Sequence, residues 1–122
     1  LPRLRLHVIQ FQQMIMNVAL NAIQQINDVR PTSGGWIHLR VAYLAEYERV
    51  QIEIEDDGPG IHNQLRERIY ELGYTTRQIG GSGLGLYITR SLAEALGGRI
   101  TLLESHILWG TTFMIELPAR AI

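Results

Sequence analysis

The segment Gly80-Gly81-Ser82-Gly83-Leu84-Gly85-Leu86 restricts the fold most, because four glycines fall within six residues directly before an apolar, helix-patterned run. Glycine loses more backbone freedom on folding than any other residue, so such a loop is expected where positive φ angles or close approach of a ligand are needed. At a helix start, free N–H groups and the positive end of the helix dipole favour a phosphate. A short glycine motif is also typical of a tight connection, so other segments must decide between the two interpretations.

The composition indicates a globular domain without a specialised surface. The 122 residues fit one domain, and 46% hydrophobic residues can form its core. Lys+Arg (11) and Asp+Glu (12) nearly balance, which argues against a nucleic-acid surface, and the absence of Cys excludes disulfides and thiolate metal sites. No apolar run approaches the ~20 residues that span a bilayer. The first residues do not form a signal-peptide pattern. The chain starts at Leu1 rather than at Met, so we expect a fragment of a longer protein, with a membrane-anchored parent left open.

The periodicity of the apolar residues predicts an α+β fold. One long helix is predicted over 8–27, where Phe11, Ile15, Val18, Ala22 and Ile26 form an apolar stripe. The remaining predictions are an edge strand in 1–6, a turn over 31–35, strands over 36–44, 50–55, 99–103 and 111–117, a short helix over 64–72, and a helix over 83–96 ended by Gly97-Gly98. This order predicts a two-layer sandwich with the helices packed on one face of the sheet.

Polar residues at two further places suggest a binding site. Asn17 and Asn21 lie four apart on one helix face, where their oxygens could bind a hard cation; a solvated helix edge is the alternative. Asp56 follows a strand with one buried face and could accept a hydrogen bond from an exocyclic amine. The alternative for Asp56-Asp57 is a strand-end turn, and for Asp57 a solvated side chain.

Five segments in order carry a resemblance to a known family: 17–22 (NVALNA), 56–60 (DDGPG), 69–77 (IYELGYTTR), 80–86 (GGSGLGL) and 110–113 (GTTF). Over nearly the whole chain the sequence resembles the ATP-binding catalytic domain of sensor histidine kinases. That superfamily also contains DNA gyrase, the ninety-kilodalton heat-shock chaperone and the MutL proteins. The resemblance implies one domain over 1–122 with the Bergerat fold, a mixed, mostly antiparallel sheet and a mobile ATP lid.

The resemblance also implies roles for the polar residues. Asn21 would ligate Mg²⁺ with Asn17 beside it, and Asp56 would bind the adenine amino group. Gly58 and Gly60 would let the backbone pass close to the base. Gyrase-like relatives carry a water-activating glutamate at the position of Asn17. An amide cannot act as a general base at neutral pH, so Asn17 favours phosphoryl transfer over hydrolysis.

The segment 73–82 is expected to be a short lid, as in sensor kinases of the nitrogen-regulation type, although 69–77 departs from the family pattern. The lid would contribute Thr75, Thr76 and Arg77. The phosphates would be bound by Gly81, Ser82, Gly83, Leu84, Gly85 and Leu86, with the two leucines packing under the loop. Thr112 is expected to donate its hydroxyl near the adenine; a strand that merely favours β-branched residues is the alternative.

The resemblance implies that Mg-ATP binds here and that its γ-phosphate passes to a histidine on a separate helical hairpin of the same protein. A response regulator would be an indirect partner, and the parent would be a cytoplasmic homodimer, with or without an inner-membrane anchor. None of His7, His38, His62 and His106 has the context of a phosphoacceptor. We expect no contact with nucleic acid or directly with a membrane. The alternatives are an ATP-driven conformational clamp, an anti-sigma-type serine kinase and a nucleotide-binding module without transfer activity.

Overall fold

The computed structural model describes residues 1–71, 73, 84–106 and 110–122. Its elements, in chain order, are β1 (Leu4–Arg5), α1 (Val8–Val29), β2 (Ile37–Leu44), β3 (Arg49–Asp56), two short 3-10 turns (Asn63–Leu65 and Arg68–Tyr70), α2 (Gly85–Ala95), β4 (Arg99–His106), β5 (Gly110–Pro118) and β6 (Arg120–Ala121). This architecture confirms the predicted α+β fold.

The main sheet has four strands in the order β2-β3-β5-β4, and each of these pairs is antiparallel. In β3, buried residues alternate strictly with half-buried ones, so Ile52, Ile54 and Asp56 share the face that meets the helices. Glu53 and Glu55 point to the opposite face, where Arg40 of β2 bonds to both at 3.1 and 2.9 Å. The sheet therefore has one apolar face against the helices and one charged face.

Helix α1 covers the apolar face with its own buried stripe, which consists of Met14, Val18, Ala22 and Ile26. The predicted stripe had the right period but started from Phe11 and Ile15, which are only half-buried at the border of the core. Burial of an apolar side chain contributes about 1.5–3 kcal/mol, so this stripe is the main attachment of α1 to the sheet. No helix in the described part of the chain is both long and apolar enough to cross a membrane.

Helix α2 packs against α1 and β4 and ends at the predicted glycine pair. Gly97 has a φ of +83°, and the N–H of Gly98 donates to the carbonyl of Ala93. A side chain at Gly98 would place its Cβ 2.0 Å from the carbonyl oxygen of Glu116. Both glycines are therefore required, one by conformation and the other by close packing on β5.

Four local predictions differ from the structure, including β4, which continues past the predicted 103 to His106. The helix predicted over 64–72 is wrong in its described part, because this segment contains only the 3-10 turns, which have no side-chain caps. Such a short segment cannot offset the cost of helix nucleation. β5 extends through Pro118, and the predicted N-terminal strand is a two-residue segment, β1, paired with β6 outside the main sheet.

Candidate functional site

The candidate site has two parts along α1 on the helix side of the sheet: the turn after β3 lies beside Ile26, and the start of α2 lies beside Asn17. Asp56, the last residue of β3, is directly opposite Thr111 of β5. Both are buried, with 7% and 4% of their surface exposed. A carboxylate is rarely buried unless it has hydrogen-bond partners, so the burial of Asp56 must be explained by the groups around it.

Asp56 is held by backbone groups. Its Oδ1 accepts the N–H of Gly58 at 2.8 Å, and the nearby backbone of Thr111 also lowers the pKa of the carboxyl. A Cβ at Gly58 would lie 2.9 Å from this same oxygen, so glycine keeps the turn open. Burial raises the pKa of the Asp56 carboxyl, against the lowering effect of the Gly58 N–H. Within the described residues the carboxylate has no cationic partner, so it retains acceptor capacity.

The neighbouring Asp57 has structural contacts, so the alternative of a simply solvated side chain does not hold. Its Oδ1 accepts the N–H of Trp36 at 2.9 Å and lies 3.0 Å from Nη2 of Arg30. Arg30 also donates from Nη2 to the Asp57 carbonyl at 2.7 Å and from Nε to the Gly34 carbonyl at 2.9 Å. The ion pair therefore fixes the turn that follows Asp56 to the end of α1 and the start of β2.

Asn17 and the start of α2 form the second part of the site. The Nδ2 atom of Asn17 is fully buried and has no hydrogen-bond acceptor among the described residues. A Cβ at Gly85 would lie 3.7 Å from the Asn17 carbonyl oxygen and 3.8 Å from its Cβ, so helix α2 begins directly beside Asn17. Leu84 precedes this helix without a side-chain cap. The first turn of α2 therefore brings its N–H groups close to a buried donor that lacks a partner.

Asn21 lies one helical turn after Asn17 on α1 and is half-buried. Within the described residues there is no group of three acidic, histidine or cysteine side chains that could hold a metal ion. A cation at this site would therefore depend on amide oxygens, water and an anionic ligand. Mg²⁺ binds in this way, since it takes oxygen ligands and usually keeps several waters.

The two threonines of β5 lie on opposite faces of the sheet, and this corrects the choice of Thr112. Thr112 is opposite Glu55 and therefore belongs to the charged face, away from Asp56. Thr111 is opposite Asp56, and its hydroxyl lies 3.1 Å from that of Ser105. Sequence reasoning could not separate the two threonines, because their assignment depends on the strand register.

The other predicted residues fall into three groups. Gly58, Gly60 (φ +79°) and Gly85 lie at the site, the first two in the turn after Asp56. Leu86 is buried in the core and Leu84 is 40% exposed; most of the loop under which both are expected to pack lies outside the described residues. The remaining predicted residues, and nearly all of the expected lid, lie outside the described part of the chain. These predicted residues are Thr75, Thr76, Arg77, Gly81, Ser82 and Gly83.

Comparisons with known proteins identify the family. Residues 7–121 match the family of histidine kinase-, DNA gyrase B- and HSP90-like ATPases. The chain is 40% identical over 114 residues to the sensor histidine kinase AruS of Pseudomonas aeruginosa, covering 87% of the chain and 11% of AruS. It is 34% identical over 130 residues to the sensory histidine kinase/phosphatase NtrB of Klebsiella oxytoca, covering 98% of the chain and 35% of NtrB.

The solved structures agree with the sequence matches. The crystal structure of full-length ShkA in complex with AMPPNP superposes on the whole chain with a TM-score of 0.84 at 29% identity, and the match covers 24% of ShkA. The chain therefore spans a minor part of each of these proteins. By its sequence and its fold, the chain belongs to the histidine kinase-, DNA gyrase B- and HSP90-like ATPase family, and AruS and NtrB, which it resembles, are sensor histidine kinases.

Proposed function

We propose that the chain binds Mg-ATP between α1, the turn after Asp56 and the start of α2, and that it donates the γ-phosphate to a histidine on a separate domain. The observation that carries this proposal is the buried Nδ2 of Asn17 beside Gly85, which has no acceptor among the described residues. A buried donor without an acceptor costs about 1–3 kcal/mol, and a phosphate oxygen at the start of α2 would remove that cost.

The adenine would lie at the other end of the site. The Asp56 carboxylate has acceptor capacity left after its backbone bonds, and the amino group of adenine is a donor. The raised pKa means that the ionised carboxylate is destabilised in the free chain, and a donor from the base would compensate for this. Thr111 rather than Thr112 would be the second residue at the base, because only Thr111 is on the same face as Asp56.

The metal would be held by Asn21, with Asn17 beside it, as the amide chemistry and the spacing of one helical turn suggest. When bound, Mg²⁺ neutralises charge on the phosphates during transfer. Asn17 itself would orient and donate to a phosphate oxygen. It cannot accept a proton from water, so this chain is better suited to transfer than to hydrolysis.

The acceptor histidine would be supplied by another domain. His7, His38, His62 and His106 are all exposed, and His38 stacks on Trp36 with 4.4 Å between ring centroids. The relatives are several times longer than the chain, which leaves room for a phosphoacceptor hairpin in the parent protein. We extend the proposal to a homodimeric, cytoplasmically exposed parent that passes the phosphate on to a response regulator.

Calorimetry and thermal unfolding with Mg-ATP test the binding step. Ligand that binds only the folded state at 100 times its Kd adds about 2.7 kcal/mol to the free energy of unfolding, so millimolar Mg-ATP should raise Tm by several degrees. Asn17→Ala should weaken binding, whereas Asn27→Ala, at an exposed position of the same helix, should not. No change in Tm and no heat of binding at millimolar Mg-ATP would contradict the proposal.

Labelled ATP tests the transfer step. With γ-labelled ATP the chain alone should acquire no acid-labile label. Label should appear on a sensor-kinase helical hairpin that carries a phosphoacceptor histidine when this hairpin is added. Rapid release of labelled phosphate without labelling of the hairpin would instead favour hydrolysis.

A further inference from the structure

A β-bulge in β4 determines which side chain supports the base-binding end of the site. Leu102 is opposite Phe113, but the next pair along the ladder is Glu104 with Thr112, so Leu103 is an extra residue. In a regular ladder without the bulge, Leu103 would be opposite Thr112, and Glu104 would be opposite Thr111 and beside Asp56. The bulge places Ser105 there instead, and bulges are often found where a strand must redirect one side chain.

Ser105 joins three segments through hydrogen bonds. Its Oγ accepts the N–H of Ile61 at 2.6 Å and lies 3.1 Å from Oγ1 of Thr111. Its carbonyl accepts a bond of 3.1 Å from Nη2 of Arg66. Ser105 and Thr111 are 7% and 4% exposed, so their hydroxyl protons have few possible acceptors.

The hydrogen bond between the two hydroxyls can run in either direction. Ser105 Oγ accepts the N–H of Ile61 and keeps its own proton, which it can donate to Thr111 Oγ1. Our proposal takes this direction, with Ser105 as the donor. Thr111 then accepts, which leaves its own proton to donate elsewhere.

We propose that Ser105 is a positioning residue that fixes the Thr111 hydroxyl as a hydrogen-bond donor to the base and so contributes to selection of adenine. The proposal rests on the proposed function. Adenine presents a donor at its amino group beside an acceptor at N1, which complements the acceptor Asp56 and the donor Thr111. Guanine presents the reverse order, an acceptor at O6 and a donor at N1, and would leave both protein groups without partners.

A binding cycle with two nucleotides tests the proposal. 1-Deaza-ATP keeps the amino group but has C–H in place of N1, so it cannot accept from Thr111. Calorimetry should show that the wild-type chain binds Mg-ATP about tenfold more tightly than Mg-1-deaza-ATP, as expected for loss of one buried hydrogen bond. In Ser105→Ala this ratio should fall to about two or less, because Thr111 is no longer fixed as a donor.

Three variants separate positioning from stability. Ser105→Thr retains a hydroxyl and should retain most of the tenfold ratio. Ser105→Cys fills the same space with a weak hydrogen-bonding group, and it should lose the ratio even if Ser105→Ala folds poorly. Thr101→Ala removes a hydroxyl from the same strand at the pair with Met114, on the charged face, and should leave the ratio unchanged.

The outcomes distinguish this proposal from the proposed function. If Ser105→Ala and Ser105→Cys keep the full ratio, with or without a lower Tm, Ser105 is only structural and the inference is overturned. If the wild-type chain binds both nucleotides equally, the donor role of Thr111 is overturned while ATP binding stands. If the folded wild-type chain binds neither nucleotide, the proposed function itself fails.

Discussion

Two buried carboxylates of the sheet differ sharply although each has 7% of its surface exposed. Asp56 ends β3 on the helix side and has only backbone donors among the described residues. Glu116, on the opposite face near the other end of β5, accepts from Gln51 at 2.7 Å and Arg49 at 3.1 Å and lies 3.4 Å from Arg99. Burial alone therefore does not determine the state of a carboxylate in this protein.

The two environments shift the two pKa values in opposite directions. Burial raises the pKa of the Asp56 carboxyl above its ordinary value of 3.8. The hydrogen bond from Gln51, followed by the charges of Arg99 and Arg49, lowers the pKa of Glu116 below its ordinary value of 4.5, against the effect of burial. Glu116 therefore has side-chain partners that stabilise the ionised carboxylate, whereas Asp56 has none among the described residues and keeps the acceptor capacity that our proposal assigns to adenine.

Asp56→Asn should produce the largest effect on ligand binding. The amide loses the charge and part of the acceptor capacity offered to the adenine amino group, so the affinity for Mg-ATP should fall roughly 10- to 100-fold. Titration calorimetry measures this. Glu116→Gln is the matched control at the other carboxylate, and it should bind Mg-ATP with unchanged affinity. Equal losses in both variants would remove the distinction between the two sites.

Glu116→Ala should produce the largest effect on stability. The substitution leaves Arg49 and Gln51 without their partner at a mostly buried position, so the free energy of unfolding should fall by about 2 kcal/mol. Urea unfolding of the nucleotide-free chain measures it. A change below about 0.5 kcal/mol would show that the cluster around Glu116 does not stabilise the fold.

Arg30→Met should have a smaller effect on both the affinity for Mg-ATP and the free energy of unfolding. It frees the turn after Asp56 but removes no group that would bind the ligand. Loss of the bonds from Arg30 to Gly34 and Asp57 should reduce the affinity for Mg-ATP about threefold to fivefold. Arg40→Met removes a more exposed arginine from the charged face and should leave affinity unchanged. Equal affinities of the two variants would show that the turn does not need this ion pair.

The two carboxylates should change the free energy of unfolding with pH in opposite directions, and both changes should be modest. Because the pKa of Asp56 is raised on folding, its contribution to stability should decrease as pH rises from 3.8 through the raised value. Because the pKa of Glu116 is lowered, its contribution should be present above 4.5 and be lost as pH falls through the lowered value. Unfolding curves of wild type, Asp56→Asn and Glu116→Gln between about pH 3 and 7 give both differences; slopes of the same sign would contradict the assignment.

The sequence predicts the elements of this site better than the contacts between them. The periodicity located α1 and the four strands of the sheet, and the position of Asp56 at the end of a strand with one buried face made it a candidate hydrogen-bond acceptor. The face of the sheet on which Thr111 lies depends on its register with β3. The position of Ser105 depends on a bulge at Leu103, which the residue types do not predict. The pairing of Arg30 with Asp57 joins positions 27 residues apart and becomes visible only in the folded chain.

The pKa values of the two carboxyl groups, followed by carbon-13 NMR with and without saturating Mg-ATP, test the central claim most directly. In the free chain, the pKa should be above the ordinary value for Asp56 and below it for Glu116. Mg-ATP should lower the pKa of Asp56, because a donor from adenine favours the ionised carboxylate, and should leave that of Glu116 unchanged. An Asp56 pKa that does not respond to bound Mg-ATP would contradict the account.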